Sequence, residues 1–285
     1  MSVIKDELGV LVGVDGSTSS REALTWAMEW ASRSDLPVTV VTAYDRSRAP
    51  SALQPILTSE VEAALTQEIE EISTRFPNVA VTGKVVNGHP VNSLLQEASE
   101  GHMLVTGTRG SGGWGGLRLG SVAAELAERC HVPLMVVPDG STHHPDGPFV
   151  VGADGSDSSR LAAEFAVESA AKRGKKVVLV YARPAPQSLF GLSLHKSSDQ
   201  INEQDRHRMD SVAGPLRERW PDVEIEERFV TGPPANALRD AGEGASAIFM
   251  GSRGHGGFVG MLLGSVSRQL VTTGNVPVLI VRAGS

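Results

Sequence analysis

Cysteine is almost missing. Cys130 is the only one in 285 residues, which excludes an intrachain disulfide and a thiolate-rich zinc site. Near a helix end, it reads as a small buried residue rather than a catalytic thiol. Long apolar runs are missing too: nothing approaches the roughly 20 consecutive apolar residues that span a bilayer. Met1 to Leu8 mixes charges into its first turn and has no signal-peptide core, so a cytoplasmic location with no membrane partner is expected. There is no basic excess. Lys and Arg number 26 against 33 Asp and Glu, for a net charge of -7, so no global field favours nucleic acid. Gly-x4-Gly-Lys-Ser/Thr is absent, which excludes a P-loop NTPase, and no Gly-x-Ser-x-Gly elbow with a triad appears. His89, His131 and His255 have no metal-ligand spacing.

What is present is a repeat. Val12-Gly-Val-Asp-Gly-Ser17 returns as Val151-Gly-Ala-Asp-Gly-Ser156, and Ser19-Ser-Arg21 as Ser158-Ser-Arg160. Phe76-Pro-Asn-Val79 matches Trp220-Pro-Asp-Val223, Gly88–Asn92 matches Gly232–Asn236, and Val132-Pro133 matches Val276-Pro277, in the same order. The register changes once, after the second strand. This is a tandem duplication of one domain, giving domains at 1–138 and 149–285 with the Pro- and Gly-rich stretch 139–148 as linker.

Each half alternates apolar runs with helical patterns. In the first, strands are expected at Leu8–Val14, Val38–Ala43, Val79–Val85, His102–Thr106 and Pro133–Val137. Helices are expected at Ser17–Ser34, from after Thr58 to about Arg75, and at Pro90–Ser99 and Ser121–Arg129. On the first helix Ala23, Trp26, Ala27 and Trp30 share a face, with Ser17 placed to cap. Unbroken apolar strands separated by helices imply an α/β fold, a parallel sheet covered on both faces.

Ligands of such sheets bind beyond the strands' carboxyl ends, where strand order reverses. Two motifs should converge there in each half. One is the Asp-Gly-Ser turn at Asp15 or Asp154. The other is a glycine loop after strand four, Gly107–Ser121 and Gly251–Ser265, both fitting Gly-x2-Gly-x9-Gly-Ser without a gap. Backbone N–H groups approach an anion where side chains are missing, and a helix start adds donors and partial positive charge. Each Asp-Gly-Ser is equally readable as a strand–helix turn with an N-cap. Arg109 and Arg253, at equivalent places, either clamp phosphate or face solvent. Gly110–Gly115 spells Gly-x-Gly-x-x-Gly, but it follows the fourth strand and its second copy breaks at Val259, which weakens a dinucleotide reading.

These residues resemble the universal stress protein family, in the tandem two-domain form familiar from actinobacteria, mycobacteria especially. The resemblance implies a five-stranded Rossmann-like sheet of order 3-2-1-4-5, similar to the adenine nucleotide alpha hydrolases, and ATP in each half, with Mg²⁺ compatible with its phosphates. Asp15 and Asp154 would lie beside the adenosine and Ala43 and Ala182 would line the adenine pocket. Gly107, Gly110, Gly120 and Ser121, and Gly251, Gly254, Gly264 and Ser265, would hold the phosphates. Gly13, Thr108, Arg109, Ser111, Gly112, Gly113 and Val122 complete the expected set in the first half, and Gly152, Ser252, Arg253, His255, Gly256, Gly257 and Val266 in the second. The closing strands would pair the halves and serve a homodimer, with regulatory protein partners unspecified. No general base or catalytic metal site stands out, so nucleotide sensing is expected over turnover. A slow ATPase or nucleotidyl-transfer enzyme of related fold is the alternative, although the Ser-Gly-Gly-x-Asp-Ser loop of the ATP pyrophosphatases is missing. A scaffold that has lost ATP is a third reading. The differing loops after the second strands, Asp45–Ser59 and Arg183–Ile201, are candidates for setting partners.

Overall fold

A computed structural model describes residues 9–48, 50–98, 103–110, 119–142, 144–183, 202–254 and 262–283. The first half runs β1 (Val10–Gly13), α1 (Thr18–Ser32), β2 (Val38–Tyr44), a 3₁₀ turn (Arg46–Arg48), α2 (Gln54–Arg75), β3 (Val81–Asn87), α3 (Pro90–Glu97), β4 (Met103–Gly107), α4 (Ser121–Arg129) and β5 (Leu134–Val137). The second runs β6 (Phe149–Gly152), α5 (Asp157–Arg173), β7 (Val177–Arg183), α6 (Glu203–Arg219), β8 (Ile225–Thr231), α7 (Pro234–Ala241), β9 (Ala247–Gly251), α8 (Ser265–Thr273) and β10 (Val278–Val281).

The strands form one ten-stranded sheet, β3-β2-β1-β4-β5-β10-β9-β6-β7-β8. Within each half the order is 3-2-1-4-5 and every pairing is parallel. The strands read as unbroken apolar runs because both faces are covered. Val10 and Val12 enter one core with α1 and α2, and Leu11 enters the other with α3 and α4. Phe149 and Val151 against Val150 repeat the alternation in the second half, as the period of two along a strand requires.

The closing strands join the halves. Val278 pairs with Val136, Leu279 with Met135 and Ile280 with Leu134, antiparallel. Each closing strand has one neighbour within its own half and the other across the junction, so both of its edges are paired within the chain. Aromatic residues make up only 5% of the chain, yet Trp26, Trp30, Phe149 and Phe249 gather at this junction. Trp30 stacks on Trp26 with centroids 5.1 Å apart and meets Phe149 at 5.8 Å and Phe249 at 6.4 Å. The Arg173 guanidinium lies 3.6 Å over the Trp30 ring and donates to the Trp30 carbonyl at 3.2 Å. The connecting stretch is pinned down as well. Lys175 Nζ donates to the carbonyls of Pro145 and Gly147, and Arg33 donates to Pro145.

Two boundaries differ from the sequence expectation for local reasons. The third strand starts at Val81 because the Val79 N–H closes a turn onto Phe76 O at 3.1 Å. Helix α2 starts at Gln54, before Thr58, with Pro55 in its first turn, where the missing N–H costs nothing. Among the described residues no helix is long and apolar enough to cross a membrane. The loop 184–201 lies outside the described residues.

Candidate functional site

At the carboxyl end of β1 the chain must turn sharply into α1. Gly16 takes φ 78° and its counterpart Gly155 takes φ 82°, a conformation open to glycine. Asp15 Oδ1 accepts the Ser17 N–H at 3.1 Å, and Ser17 Oγ accepts the Ser20 N–H at 3.2 Å as the α1 N-cap. Asp154 and Ser156 repeat both bonds. The turn-and-cap reading of Asp-Gly-Ser is therefore correct for Oδ1 and the serine.

Oδ2 faces the glycine loop. A Cβ placed on Gly110 would stand 2.5 Å from Asp15 Oδ2, and one on Gly254 would strike Asp154 Oδ2. The helix start and the loop are also tied directly: the Arg109 N–H donates to Ser19 Oγ at 3.3 Å, and Ser17 Oγ donates to Arg109 O at 3.4 Å. In the second half Ser158 Oγ donates to Arg253 O. The two motifs thus meet in a crevice between β1 and β4, and again between β6 and β9, where strand order reverses.

Several residues expected to touch a ligand are used by the fold. A Cβ on Gly107 would lie 2.6 Å from the Ser19 carbonyl oxygen, so this glycine makes room for α1. Gly251 does the same against Ser158. Gly13 and Gly152 abut Leu94 of α3 and Leu238 of α7. The Gly120 N–H donates to Thr108 O at 2.7 Å and the Gly264 N–H to Ser252 O at 2.7 Å, closing the base of each loop. Thr108 and Ser252 are buried, and Thr108 Oγ1 accepts the Asp139 N–H at 3.1 Å. Arg109 is neither a free clamp nor simply solvated, because it forms an ion pair with Asp139.

Other expected residues sit at the ends of the elements that flank the crevices, with Val122, Val266 and Ala182 packed against the core. Ser121 and Ser265 are exposed first-turn residues of α4 and α8, beside the half-buried Val122 and Val266. Both helices have a glycine N-cap and no capping side chain, so a cap leaves their first N–H groups to other acceptors. Ala43 and Ala182 sit half-buried next to the last residues of β2 and β7. Ser111, Gly112, Gly113, His255, Gly256 and Gly257 lie outside the described residues.

Sequence reasoning missed three residues near the crevices. Glu68 interrupts the apolar stripe Leu65, Ile69, Ile72 of α2, and its Oε1 is buried without a hydrogen-bond partner among the described residues. Burial raises its pKa, Arg21 opposes the rise, and the Asp15 carboxylate adds to it. A charge on an apolar helix face was the available signal. Asp139 and Arg208 had none beyond a residue-by-residue comparison of the repeats. Among the described residues no group of three or more His, Cys, Asp or Glu could hold a metal ion.

Comparison with known proteins agrees with this architecture. The model of the universal stress protein family matches residues 9–138 and again 147–282. A universal stress protein of Mycobacterium tuberculosis is 32% identical over 309 residues, covering 99% of this chain and 97% of the relative. A second from that organism is 30% identical over 295 residues, covering 99% of both. Among solved structures, a universal stress protein of Archaeoglobus fulgidus superposes with TM-score 0.70 at 20% identity, over 97% of this chain and 98% of the other. A Pseudomonas aeruginosa protein described as a putative universal stress protein gives 0.61 at 14% identity, over 96% and 92%; at these identities the likeness is one of fold. With two copies of the family model spanning nearly the whole described chain, the protein belongs to the universal stress protein family.

Proposed function

We propose that the chain is a cytoplasmic stress-response protein that binds ATP in each half, in domains 1–138 and 149–285, and uses nucleotide occupancy as a signal. The observation that carries this reading is the duplicated meeting of a carboxylate with the glycine loop, Asp15 against Gly110 and Asp154 against Gly254, at the sheet's switch points. A carboxylate there suits hydrogen-bond donors of a base or ribose. The loop and the start of α4 or α8, which lacks a capping side chain, suit phosphates. Mg²⁺ would accompany the phosphates rather than require a protein cage.

A ligand that binds only the folded state stabilises it by about 2.7 kcal/mol at a hundredfold excess over Kd. ATP is therefore expected to raise the melting temperature, and mass spectrometry of freshly purified protein should find co-purified adenine nucleotide. Gly120→Glu combined with Gly264→Glu places carboxylates at both loop exits and should abolish the shift. An unchanged melting temperature with ATP, together with unchanged ATP retention in the double variant, would refute the reading. Sustained release of phosphate or AMP in a turnover assay would favour the enzyme alternative.

A further inference from the structure

The two crevices share a framework but not a charge pattern. In the first half Arg109 is paired with Asp139, just past β5. Aligning the closing strands puts Ala283 in the place of Asp139 and Arg282 in the place of Pro138, so the second half exchanges a carboxylate for a guanidinium. Among the described residues Arg253 has no carboxylate partner. Burial first, and then the charge of Arg253, hold the Arg282 guanidinium below its usual range. Arg282 is fixed there. Its Nη2 donates to Ala127 O at 3.4 Å and Glu128 O at 2.5 Å at the end of α4, and to Leu262 O at 3.2 Å by the exit of the second loop. Its buried Nε has no hydrogen-bond partner among the described residues.

Helices α2 and α6 widen the difference. A Cβ on Gly155 would touch Arg208 Cβ and Cγ at 3.5 Å, whereas one on Gly16 would meet nothing within 4 Å. Arg208 is held over the Asp154 turn by donating to Tyr181 Oη at 3.1 Å, and Tyr181 donates to Asp205 at 2.9 Å. Its remaining guanidinium nitrogens make no hydrogen bond among the described residues. The first half has Ala64 at that place. One turn on, it carries Glu68 where the second half has the buried Val212.

We propose that the two sites are unequal. The second, bounded by Arg208, Arg253 and Arg282 around Asp154, reads the phosphate charge of its ligand. The first, with Glu68 beside Asp15 and with Arg109 already paired to Asp139, holds nucleotide almost irrespective of phosphate number. The inference rests on the nucleotide-binding reading above. Guanidinium groups in excess over the carboxylates beside them gain charge-assisted bonds when an anion arrives. Arg109 must first give up Asp139, and exchanging one anionic partner for another nets little.

Calorimetric titration of the full chain with ATP, ADP and AMP, at low and raised KCl, tests this. One class of site should lose about tenfold or more in affinity from ATP to AMP, as loss of charge-assisted bonds implies, and should weaken with salt. The other should change by less than about threefold across the series. Arg253→Ala should flatten the first class. Asp139→Asn should give the second class a phosphate dependence of its own, by freeing Arg109. That last result is a gain, which misfolding cannot produce. Two identical sites, or Asp139→Asn without a gain, would overturn the inequality while leaving nucleotide binding intact. Failure of all three nucleotides to bind would remove the reading beneath it as well.

Discussion

Gly107 shows how one letter of a ligand motif serves the fold. Its missing side chain lets the end of β4 lie against the first turn of α1, where a Cβ would stand 2.6 Å from the Ser19 carbonyl oxygen. Backbone cannot give way as a flexible side chain can. Gly107→Ala should therefore cost about 2 kcal/mol of stability, within the range for overpacked sites, and Gly251→Ala a similar amount against Ser158. Urea unfolding would check both, and midpoints unchanged from the parent protein would show that α1 can shift to accommodate the methyl group. This is also where sequence reading met its limit. Glycine spacing and the Asp-Gly-Ser turn pointed to the crevice, because a turn and a loop at one switch point must converge. It did not separate glycines that face a ligand from those that abut Leu94 or Ser19, since both roles ask only for an absent side chain. The ion pair of Arg109 with Asp139 was hidden for another reason. It joins residues 30 positions apart whose proximity depends on β4 and β5 being neighbours.

Helix ends show the same repeat solved in two ways. Helix α5 closes on Gly174, in the left-handed region at φ 61°, with its N–H donating to Ala170 O and open space around it. Helix α1 ends at Arg33, and Asp35 beyond it is the only non-glycine residue at positive φ among those described, at 53°. A side chain in that region costs on the order of 1 kcal/mol. Gly174→Ala should lower stability by about 1 kcal/mol, and Asp35→Gly should raise it by a few tenths to about 1 kcal/mol after the added freedom of the unfolded chain is deducted. Opposite shifts of the urea midpoint are expected. Shifts of the same sign would mean that Asp35 makes a compensating contact. Element types and order were legible because continuous apolar strands and capped helices leave distinct patterns. The ends were less so. Val79 is as apolar and buried as a strand residue, but its N–H is spent in a turn, and apolar patterning does not register where an N–H is bonded.

At the scale of the molecule, duplication has turned what would be a contact between two chains into the interior of one. Strands β5 and β10 complete each other, and the aromatic cluster of Trp26, Trp30, Phe149 and Phe249 sits beside that seam with Arg173 laid over it. Trp26 and Trp30 are identifiable from sequence as one apolar face of α1, but nothing local says that the face looks toward the other half. Separating the halves would uncover Leu134, Met135 and Val136 as an apolar edge together with an unpaired row of backbone donors and acceptors. Such an edge recruits another strand. Residues 1–138 expressed alone should therefore self-associate through β5, and adding 149–285 should displace that self-pairing in favour of the native β5–β10 register, because only the native partner also supplies Phe149, Phe249 and Arg173. Sedimentation velocity would follow both steps. If the isolated first half stays monomeric at concentrations of about 100 μM, well above the micromolar range typical of weak specific association, the seam is held by the aromatic cluster and the linker rather than by the strand edges. The intact chain should not dimerise by this route at any of these concentrations, since its closing strands have no edge left to offer.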